Sequence, residues 1–472
     1  MSTSKPEPGA GEPGDRLVRS LSHRQIQLMA IGGAIGVGLF LGSGKAIHNA
    51  GPAVILCYLL AGAVVFLMLR ALGEMAVQRP VSGSFASYAR DLVGPWAGYA
   101  TGWTYWLMWI TIVMAEITAV GIYVQYFFPD VPQWVPALAS VVVLLGANLA
   151  SVRLFGETEF WLAIVKIVAI LAFIASGIFI VVFGIGDLSD HAAISNLWSH
   201  GGFFPKGIHG LLVALQIVTF AFIGVELIGI TAAEARDPER ELPTAINRVA
   251  LRILLFYVGA ILVILMLIPW NEVSLDDSPF VVAWASIGIG AAAGILNGVV
   301  LTSALSSSNS GIFASARMLY SLAGTGEAPR RLHSVNRTHV PAAALAVSGA
   351  VLGIGVLLNV LVPGKAFVYI TSVATVGILW VWGMVVVAHL RYRAREDPGA
   401  RGGFRMPGSP WTNYLVLAYL ALVAVLLGVT PNQRVALIAG AIWAVLVALG
   451  WWRISRSRGP GGTLAGDPAE SA

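Results

Sequence analysis

The chain of 472 residues is 57% hydrophobic and only 11% charged, with a mean hydropathy of +0.79. A soluble globular domain carries about a quarter of its residues as charges, so this composition excludes an ordinary soluble domain. The single cysteine, Cys57, excludes a disulfide framework and a cysteine metal site. The formal net charge of +5 is distributed over predicted loops and tails, which argues against a nucleic-acid-binding protein.

Apolar runs of about 18 or more residues recur along the chain, and each is long enough to cross a bilayer core. The sequence therefore predicts an all-α polytopic membrane protein. We predict twelve transmembrane helices, near residues 24–46, 52–74, 97–127, 132–152, 159–184, 208–233, 247–270, 285–313, 341–361, 366–390, 411–430 and 434–453.

The two ends of the chain differ from the membrane domain predicted over residues 23–455. Residues 1–22 and 456–472 are polar and rich in Pro and Gly, so we expect disordered tails. The first tail has no hydrophobic core, which argues against a cleaved signal peptide. Most of the 29 Lys and Arg residues fall on one side of the predicted topology. By the positive-inside rule, this predicts a multi-pass plasma membrane protein with both termini cytoplasmic.

A short repeat divides the predicted helices into two units. The stretch "IGVGL" at 35–39, in helix 1, matches "IGVEL" at 223–227, in helix 6, at all but one position. Each matched stretch begins a unit of five spans, at residues 23–184 and 206–391, and helices 11 and 12 at 411–453 follow. Because five is an odd number, the second unit must enter the membrane from the opposite side, which is an inverted-topology repeat.

The repeated stretches predict breaks in helices 1 and 6. The glycines of helix 1, including the adjacent Gly32 and Gly33, weaken it by about 1 kcal/mol each relative to Ala, although glycines also suit close helix packing. A break frees backbone N–H and C=O groups, which need partners within a membrane. We expect N–H groups around residues 38–43 to bind a carboxylate, and carbonyls before Gly224 to bind an ammonium group. The backbone candidates for the two ends of an α-amino acid are Ile35, Gly36, Val37, Gly38 and Gly224.

Three ionisable residues lie deep in the predicted spans, and each is a candidate for proton coupling. Glu226 falls in the second break, where it would line the site and could take up and release a proton; alternatively, freed N–H groups neutralise it. Lys166, in helix 5, is either buried and proton-carrying or extends its ammonium group to the interface. Glu116, in helix 3, is either a relay carboxylate or a packing residue.

Several long motifs resemble one transporter family. They include "IQLMAIGGAIGVGLFLGSG", "GPWAGYATGWTYW", "FGETEFWLAIVKIVAI" and "LTSALSSSNSGIFASARMLY". In these stretches the chain resembles amino acid permeases of the amino acid–polyamine–organocation superfamily, in the bacterial amino acid transporter branch. The resemblance implies a LeuT-like fold of five plus five inverted helices with two further helices, and proton-driven import of amino acids. Val37 replaces the threonine that is common in the family, which removes one hydroxyl from the site.

The same resemblance implies roles for individual side chains. It places helix 3 beside the substrate, so Tyr105 and Trp109, which share a helix face, are candidates for the wall of the site. Phe220 lies one turn before Gly224 and is a candidate gate. Lys166 takes the place that sodium occupies in sodium-coupled relatives. The segment "SSSNSG" at 306–311 supplies either helix–helix contacts or polar partners for that lysine.

Apart from these three ionisable residues, the spans offer no charge for a substrate side chain, so we expect a small neutral amino acid. The motifs are most similar to those of D-serine/D-alanine/glycine permeases. Permeases for proline, asparagine, aromatic amino acids or γ-aminobutyrate remain alternatives, as does an amino-acid sensor. The repeat after five spans argues against two parallel six-helix halves.

Motifs of intramembrane enzymes are missing from the predicted spans, which contain no HExxH or GxSxG sequence, so we expect a protein that is not an enzyme. The expected partners are an amino acid, protons and membrane lipid. No cofactor, metal ion, nucleic acid or obligate protein partner is implied.

Overall fold

The computed structural model describes residues 35–79, 84–150, 152–184, 192–227, 229, 238–273, 278–285, 292–395, 403–430 and 433–457. Every regular element in these ranges is helical. The predicted tail at 1–22, the pair Gly32 and Gly33, and residues 458–472 lie outside the described ranges.

The helices follow each other in the order that the apolar runs predict. The first half contains α1 Val37–Phe40, α2 Gly42–Ala50, α3 Val54–Gln78, α4 Ser84–Leu92, α5 Pro95–Phe127, α6 Trp134–Ala150 and α7 Val152–Phe183. The second half contains α8 Gly207–Ala221, α9 Pro238–Arg252, α10 Ala260–Leu267, α11 Pro279–Ala285, α12 Ala292–Gly324, α13 Ala342–Leu361, α14 Pro363–Arg395, α15 Trp411–Val429 and α16 Arg434–Ser457. A π-helical turn, Ile253–Gly259, joins α9 to α10, and short 3₁₀ turns lie at Gly51–Ala53, Ile194–Leu197, Trp270–Glu272 and Arg330–His333.

Among the described residues, eight helical stretches are long and apolar enough to cross a membrane. One of them, Val37–Gln78, contains two successive predicted spans, which the 3₁₀ turn at Gly51–Ala53 separates. Two further apolar helices, α6 and α8, are shorter than the others. The chain is therefore a multi-pass membrane protein, and its helices carry the polar residues discussed below into the membrane interior.

The two broken spans run antiparallel to each other and in close contact. A Cβ atom added to Gly38 in α1 would lie 2.6 Å from the Ala221 Cα atom at the end of α8. At the opposite end of the pair, a Cβ added to Gly210 would collide with the carbonyl oxygen of Asn49. Glycine at these two positions therefore lets the backbones approach closely, as the small-residue pattern of helix 1 predicts.

The long helix α5 lies at the centre of the bundle. It packs against α12 and α14 along most of its length and also contacts α4, α6 and α13. Within its apolar stretch 83% of the residues are buried, whereas only 6% are buried in the corresponding stretch of α16. The residues of α5 are thus placed to form the interior of the protein, while α16 faces the surrounding membrane.

A buried polar cluster joins α3, α14 and the segment before α15. The Glu74 carboxylate accepts hydrogen bonds from Arg393 Nε at 2.9 Å, from Arg393 Nη2 at 2.7 Å and from the Met406 backbone N–H at 2.7 Å. His389 Nε2 lies 3.0 Å from the same carboxylate, and its Nδ1 contacts Asn413 Nδ2 at 2.9 Å. We refer to these five residues as the Glu74 cluster.

Candidate functional site

The first described residues, Ile35 and Gly36, are not helical, and α1 begins only at Val37. The carbonyl oxygen of Ile35 is therefore not used within a helix. It accepts hydrogen bonds from Lys166 Nζ at 3.2 Å and from Ser303 Oγ at 2.9 Å. Two other helices thus supply the donors that a freed backbone carbonyl requires inside a membrane.

The N–H group at the start of α1 also has a partner from another helix. Val37 N lies 3.3 Å from both carboxylate oxygens of Glu116 in α5. A Cβ atom on Gly36 would overlap Glu116 Oε1 and lie 3.1 Å from Ser307 Oγ, so the carboxylate reaches the backbone only because residue 36 is glycine. Glu116 is therefore a direct partner of the first break.

The break in the sixth span lies where the repeat predicts it. Helix α8 ends at Ala221, and residues 222–226 form turns rather than a regular helix. Gly224 has a φ of +94°, a conformation that strongly favours glycine. Its N–H group donates to Glu226 Oε2 at 3.2 Å, and the Ala221 carbonyl accepts a hydrogen bond from the Tyr257 hydroxyl at 3.2 Å.

Aromatic side chains surround this second break. Tyr105 and Trp109 from α5 are fully buried and in contact with each other, with ring centroids 6.2 Å apart. Tyr105 and the Trp382 indole from α14 lie beside the Glu226 carboxylate. Phe220, 6% exposed, lies against Gly38 of α1. These predicted wall residues, with the unpredicted Trp382, therefore lie around one region.

Several polar atoms in this region make no hydrogen bond of normal length and angle among the described residues. They are the Tyr105 hydroxyl, the indole nitrogens of Trp109 and Trp382, and Glu226 Oε1. Buried polar groups in native proteins are almost always paired, so a local group of unpaired donors and acceptors needs an explanation. Three donors and one carboxylate oxygen of this kind provide partners for a small polar ligand.

Lys166 and Glu159 form a second buried group on α7. Neither side chain is exposed, and the two are linked through one hydroxyl: Lys166 Nζ donates to Ser306 Oγ at 3.0 Å, and Ser306 Oγ donates to Glu159 Oε1 at 2.7 Å. Glu116 also lies within electrostatic range of Lys166. Lys166 is therefore buried in the protein and does not extend to the interface.

Glu159, the carboxylate linked to Lys166 through Ser306, was not among the predicted site residues. Glu159 precedes Lys166 by seven residues, two helical turns, so the two side chains share a face of α7. That spacing is a signal that the sequence offers. From the segment 306–311, Ser306 contacts Lys166, whereas Asn309 accepts a hydrogen bond from Asn148 at 2.8 Å and so serves helix packing.

The structure thus separates the predicted residues into two neighbouring groups. Ile35, Gly36 and Val37 lie with Glu116 and Lys166, whereas Gly38 contacts α8 close to Phe220 and the second break. Glu226 lies in the second group, with Tyr105 and Trp382. In the described ranges, no three His, Cys, Asp or Glu side chains are placed to hold a metal ion.

Comparison with known proteins identifies the family to which the chain belongs. A sequence model of the family described as "Amino acid permease" matches residues 25–460. The amino-acid permease AapA of Bacillus subtilis is 47% identical over 445 residues, covering 94% of this chain and 96% of the relative.

Two relatives from Escherichia coli carry more specific names. The D-serine/D-alanine/glycine transporter of strain K12 is 43% identical over 446 residues, covering 94% of this chain and 95% of the relative. The aromatic amino acid transport protein AroP is 43% identical over 439 residues, covering 93% and 96% respectively. These matches run along nearly the whole chain, which belongs to the amino acid permease family of membrane transport proteins.

Proposed function

We propose that this permease imports a small neutral amino acid across the plasma membrane together with protons, by alternating access to one midplane site. The observation that carries the proposal is the position of Lys166, whose ammonium nitrogen lies 3.2 Å from the Ile35 carbonyl at the first break. Coupling ions in transporters of this architecture bind at carbonyls of broken helices. A lysine that exchanges its proton can take that role without a metal ion.

The second break is the proposed binding site for the substrate. Beside the turn at Gly224, the Glu226 oxygen without a hydrogen bond and the donors of Tyr105, Trp109 and Trp382 are suited to the polar ends of an amino acid. The bulky side chains around them favour a small substrate such as glycine, alanine or serine, including D-isomers. Sequence identity alone does not choose the substrate, because a D-serine/D-alanine/glycine transporter and an aromatic amino acid transport protein are equally similar to this chain.

The proposed architecture has twelve helices in a five-plus-five inverted repeat with two more at the end. The antiparallel contacts between α1–α2 and α8 support an inverted relation between the two units. The helices α6, α8 and α12 lie at predicted spans, as do the two segments of Val37–Gln78. With both termini cytoplasmic, the basic loops face the cytoplasm as the positive-inside rule requires.

We assign proton transfer to the group around Lys166. Ser306 connects its ammonium group to the Glu159 carboxylate through hydrogen bonds of 3.0 and 2.7 Å, which gives a proton a path from lysine to carboxylate. Glu116 fixes the first break at Val37 N and lies close enough to Lys166 to respond to its charge. We assign Glu226 to substrate binding at the second break.

The test is uptake into proteoliposomes of radiolabelled glycine, D-alanine, D-serine, L-proline, L-phenylalanine, L-lysine and γ-aminobutyrate, with and without an inward proton gradient. We expect gradient-driven uptake of the small neutral compounds by the wild type, and its loss in Lys166→Ala. The matched control is Lys365→Ala, because Lys365 is an exposed lysine and should be dispensable.

The outcomes separate substrate from coupling. Uptake that requires sodium, or proton-driven uptake that persists in Lys166→Ala, would overturn the coupling assignment. Preferential uptake of L-phenylalanine would replace the small-substrate proposal. Substrate binding without uptake under any gradient would indicate an amino-acid sensor.

A further inference from the structure

A large cavity lies away from the candidate site, between α5, α14 and α16. Its volume is about 400 Å³. Four tryptophans line it: Trp96 on α5, Trp380 on α14, and Trp443 and Trp451 on α16. Neither Lys166 nor Glu226 is among the lining residues, so the cavity is a feature separate from the transport site. We call it the tryptophan groove.

The tryptophan groove is apolar and faces the membrane. Its α16 wall belongs to the least buried of the long apolar helices that the structure describes. Of the polar groups at its wall, the Trp443 indole donates to Thr104 Oγ1 at 3.1 Å, so these two groups satisfy each other. A ligand for this groove is therefore an apolar chain and not a polar solute.

The length of the groove corresponds to one leaflet of a bilayer. On α5 the lining residues run from Trp96 to Leu107, which is roughly 16 Å at 1.5 Å rise per residue. On α16 they run from Ala439 to Trp451, roughly 18 Å by the same rise. Half of the bilayer hydrocarbon core is about 15 Å deep.

Positive charge lies at one end of the groove. Arg391 follows Trp380 by eleven residues, three helical turns, and therefore lies on the same face of α14; Arg395 follows one turn later. Both are exposed. Arg391 donates to the Val93 carbonyl at 3.3 Å and Arg395 to the Asp91 carbonyl at 3.0 Å, which places them beside the start of α5 and Trp96.

These arginines retain the capacity to bind an anion. A guanidinium group has five N–H donors, and each of the two bonds above uses one. The nearby Asp91 carboxylate is 3.5 Å from Arg79, which offsets its charge. Glu396 and Asp397 follow in the sequence and lie outside the described residues. Basic groups between membrane helices, next to an apolar groove, are the features that recognise an anionic lipid headgroup.

We propose that the tryptophan groove binds an acyl chain of an anionic phospholipid, whose headgroup phosphate is bound by Arg391 and Arg395. The tryptophans at the charged end match the headgroup level, where this residue type concentrates. In the topology proposed above, the lipid belongs to the cytoplasmic leaflet. The groove is thus a specific lipid site on the transporter, distinct from general contact with the bilayer.

Native mass spectrometry of the full chain tests the acyl-chain part. The protein is reconstituted into vesicles of equal phosphatidylglycerol and phosphatidylcholine, extracted gently, and the retained lipid is counted. We expect one phosphatidylglycerol per chain in the wild type and its loss in Ala448→Trp, which fills the groove from its exposed side. The matched control is Ala441→Trp, because Ala441 is exposed on the same helix and does not line the groove.

A second pair of variants tests the headgroup part. Removing both Arg391 and Arg395 should lower the preference for phosphatidylglycerol by about fivefold per arginine, while Arg453→Ala, on the same side of the membrane, should not. Equal retention of both lipids by the wild type would overturn the proposal. A change from dimer to monomer in Ala448→Trp, without loss of lipid, would assign the groove to a second copy of the chain instead.

Discussion

Two buried carboxylates of this permease have opposite surroundings. Glu74 is 1% exposed and accepts hydrogen bonds from Arg393 and the Met406 backbone, with His389 also in contact. Glu226 is fully buried as well, yet it accepts one hydrogen bond, from Gly224 N, and its other oxygen has no partner among the described residues. Both lie within predicted membrane spans, where a charge without partners is costly.

This difference in hydrogen bonding indicates different roles for the two carboxylates. The Glu74 cluster pairs its charge with a guanidinium group and joins Glu74 to two chain segments that lie 319 and 332 residues further along the sequence. A hydrogen-bond network of this kind, in which both carboxylate oxygens are paired, makes one arrangement of the helices rigid. Glu226 lies at a break in a helix with spare capacity for a proton or a ligand. We therefore expect Glu74 to determine stability and Glu226 to determine transport.

The largest expected effect is on stability. Glu74→Ala leaves Arg393 with an uncompensated charge in a buried site, so we expect a loss of about 3–5 kcal/mol in the free energy of unfolding. Thermal unfolding of the purified protein in detergent measures it, with Glu272→Ala as the control because Glu272 is exposed. A change of less than about 1 kcal/mol, equal to that of a surface pair, would show that the cluster is not a structural element.

The next effect is on transport. Glu226→Gln keeps the size of the side chain and removes its charge, and a hydrogen bond to a charged group contributes about 1.5–3 kcal/mol. We expect uptake per folded protein to fall by roughly 10- to 150-fold, while the unfolding temperature stays close to that of the wild type. Glu74→Gln is the matched control and should lower stability more than uptake per folded protein. If Glu226→Gln mainly lowered stability and Glu74→Gln mainly lowered uptake per folded protein, the roles assigned to the two carboxylates would be wrong.

Sequence patterns pointed to the breaks and to the ionisable residues of the spans. Gly224 was predicted from the repeat, and in the structure it has a φ of +94° within the turns that follow α8. Glu116, Lys166 and Glu226 were predicted because a charge inside an apolar run is visible without any knowledge of the fold. These signals are local, which is why they can be read from one sequence.

Partners of those residues could not be predicted, because they depend on how distant helices pack. Lys166 donates to Ser306 and not to Ser307 or Ser308. Because successive residues point in different directions around α12, the packing of that helix decides which hydroxyl faces the lysine. The surroundings of His389 likewise depend on the packing of distant segments. The structure places His389 fully buried between Glu74, which is 315 residues away in the sequence, and Asn413, which is 24 residues away.

The smallest expected effect concerns Trp382, which sequence analysis missed. Its side chain is fully buried beside Glu226, and its indole nitrogen makes no hydrogen bond of normal length and angle among the described residues. If that donor is held for substrate, Trp382→Phe should raise the KM for uptake by roughly 2- to 12-fold, since a neutral hydrogen bond contributes about 0.5–1.5 kcal/mol. Trp106→Phe is the matched control, because the Trp106 indole already donates to Ser348 Oγ at 3.1 Å. That variant should lower the unfolding temperature and leave KM unchanged. If the two variants behave alike, Trp382 contributes to stability, as the Glu74 cluster does, and does not bind substrate.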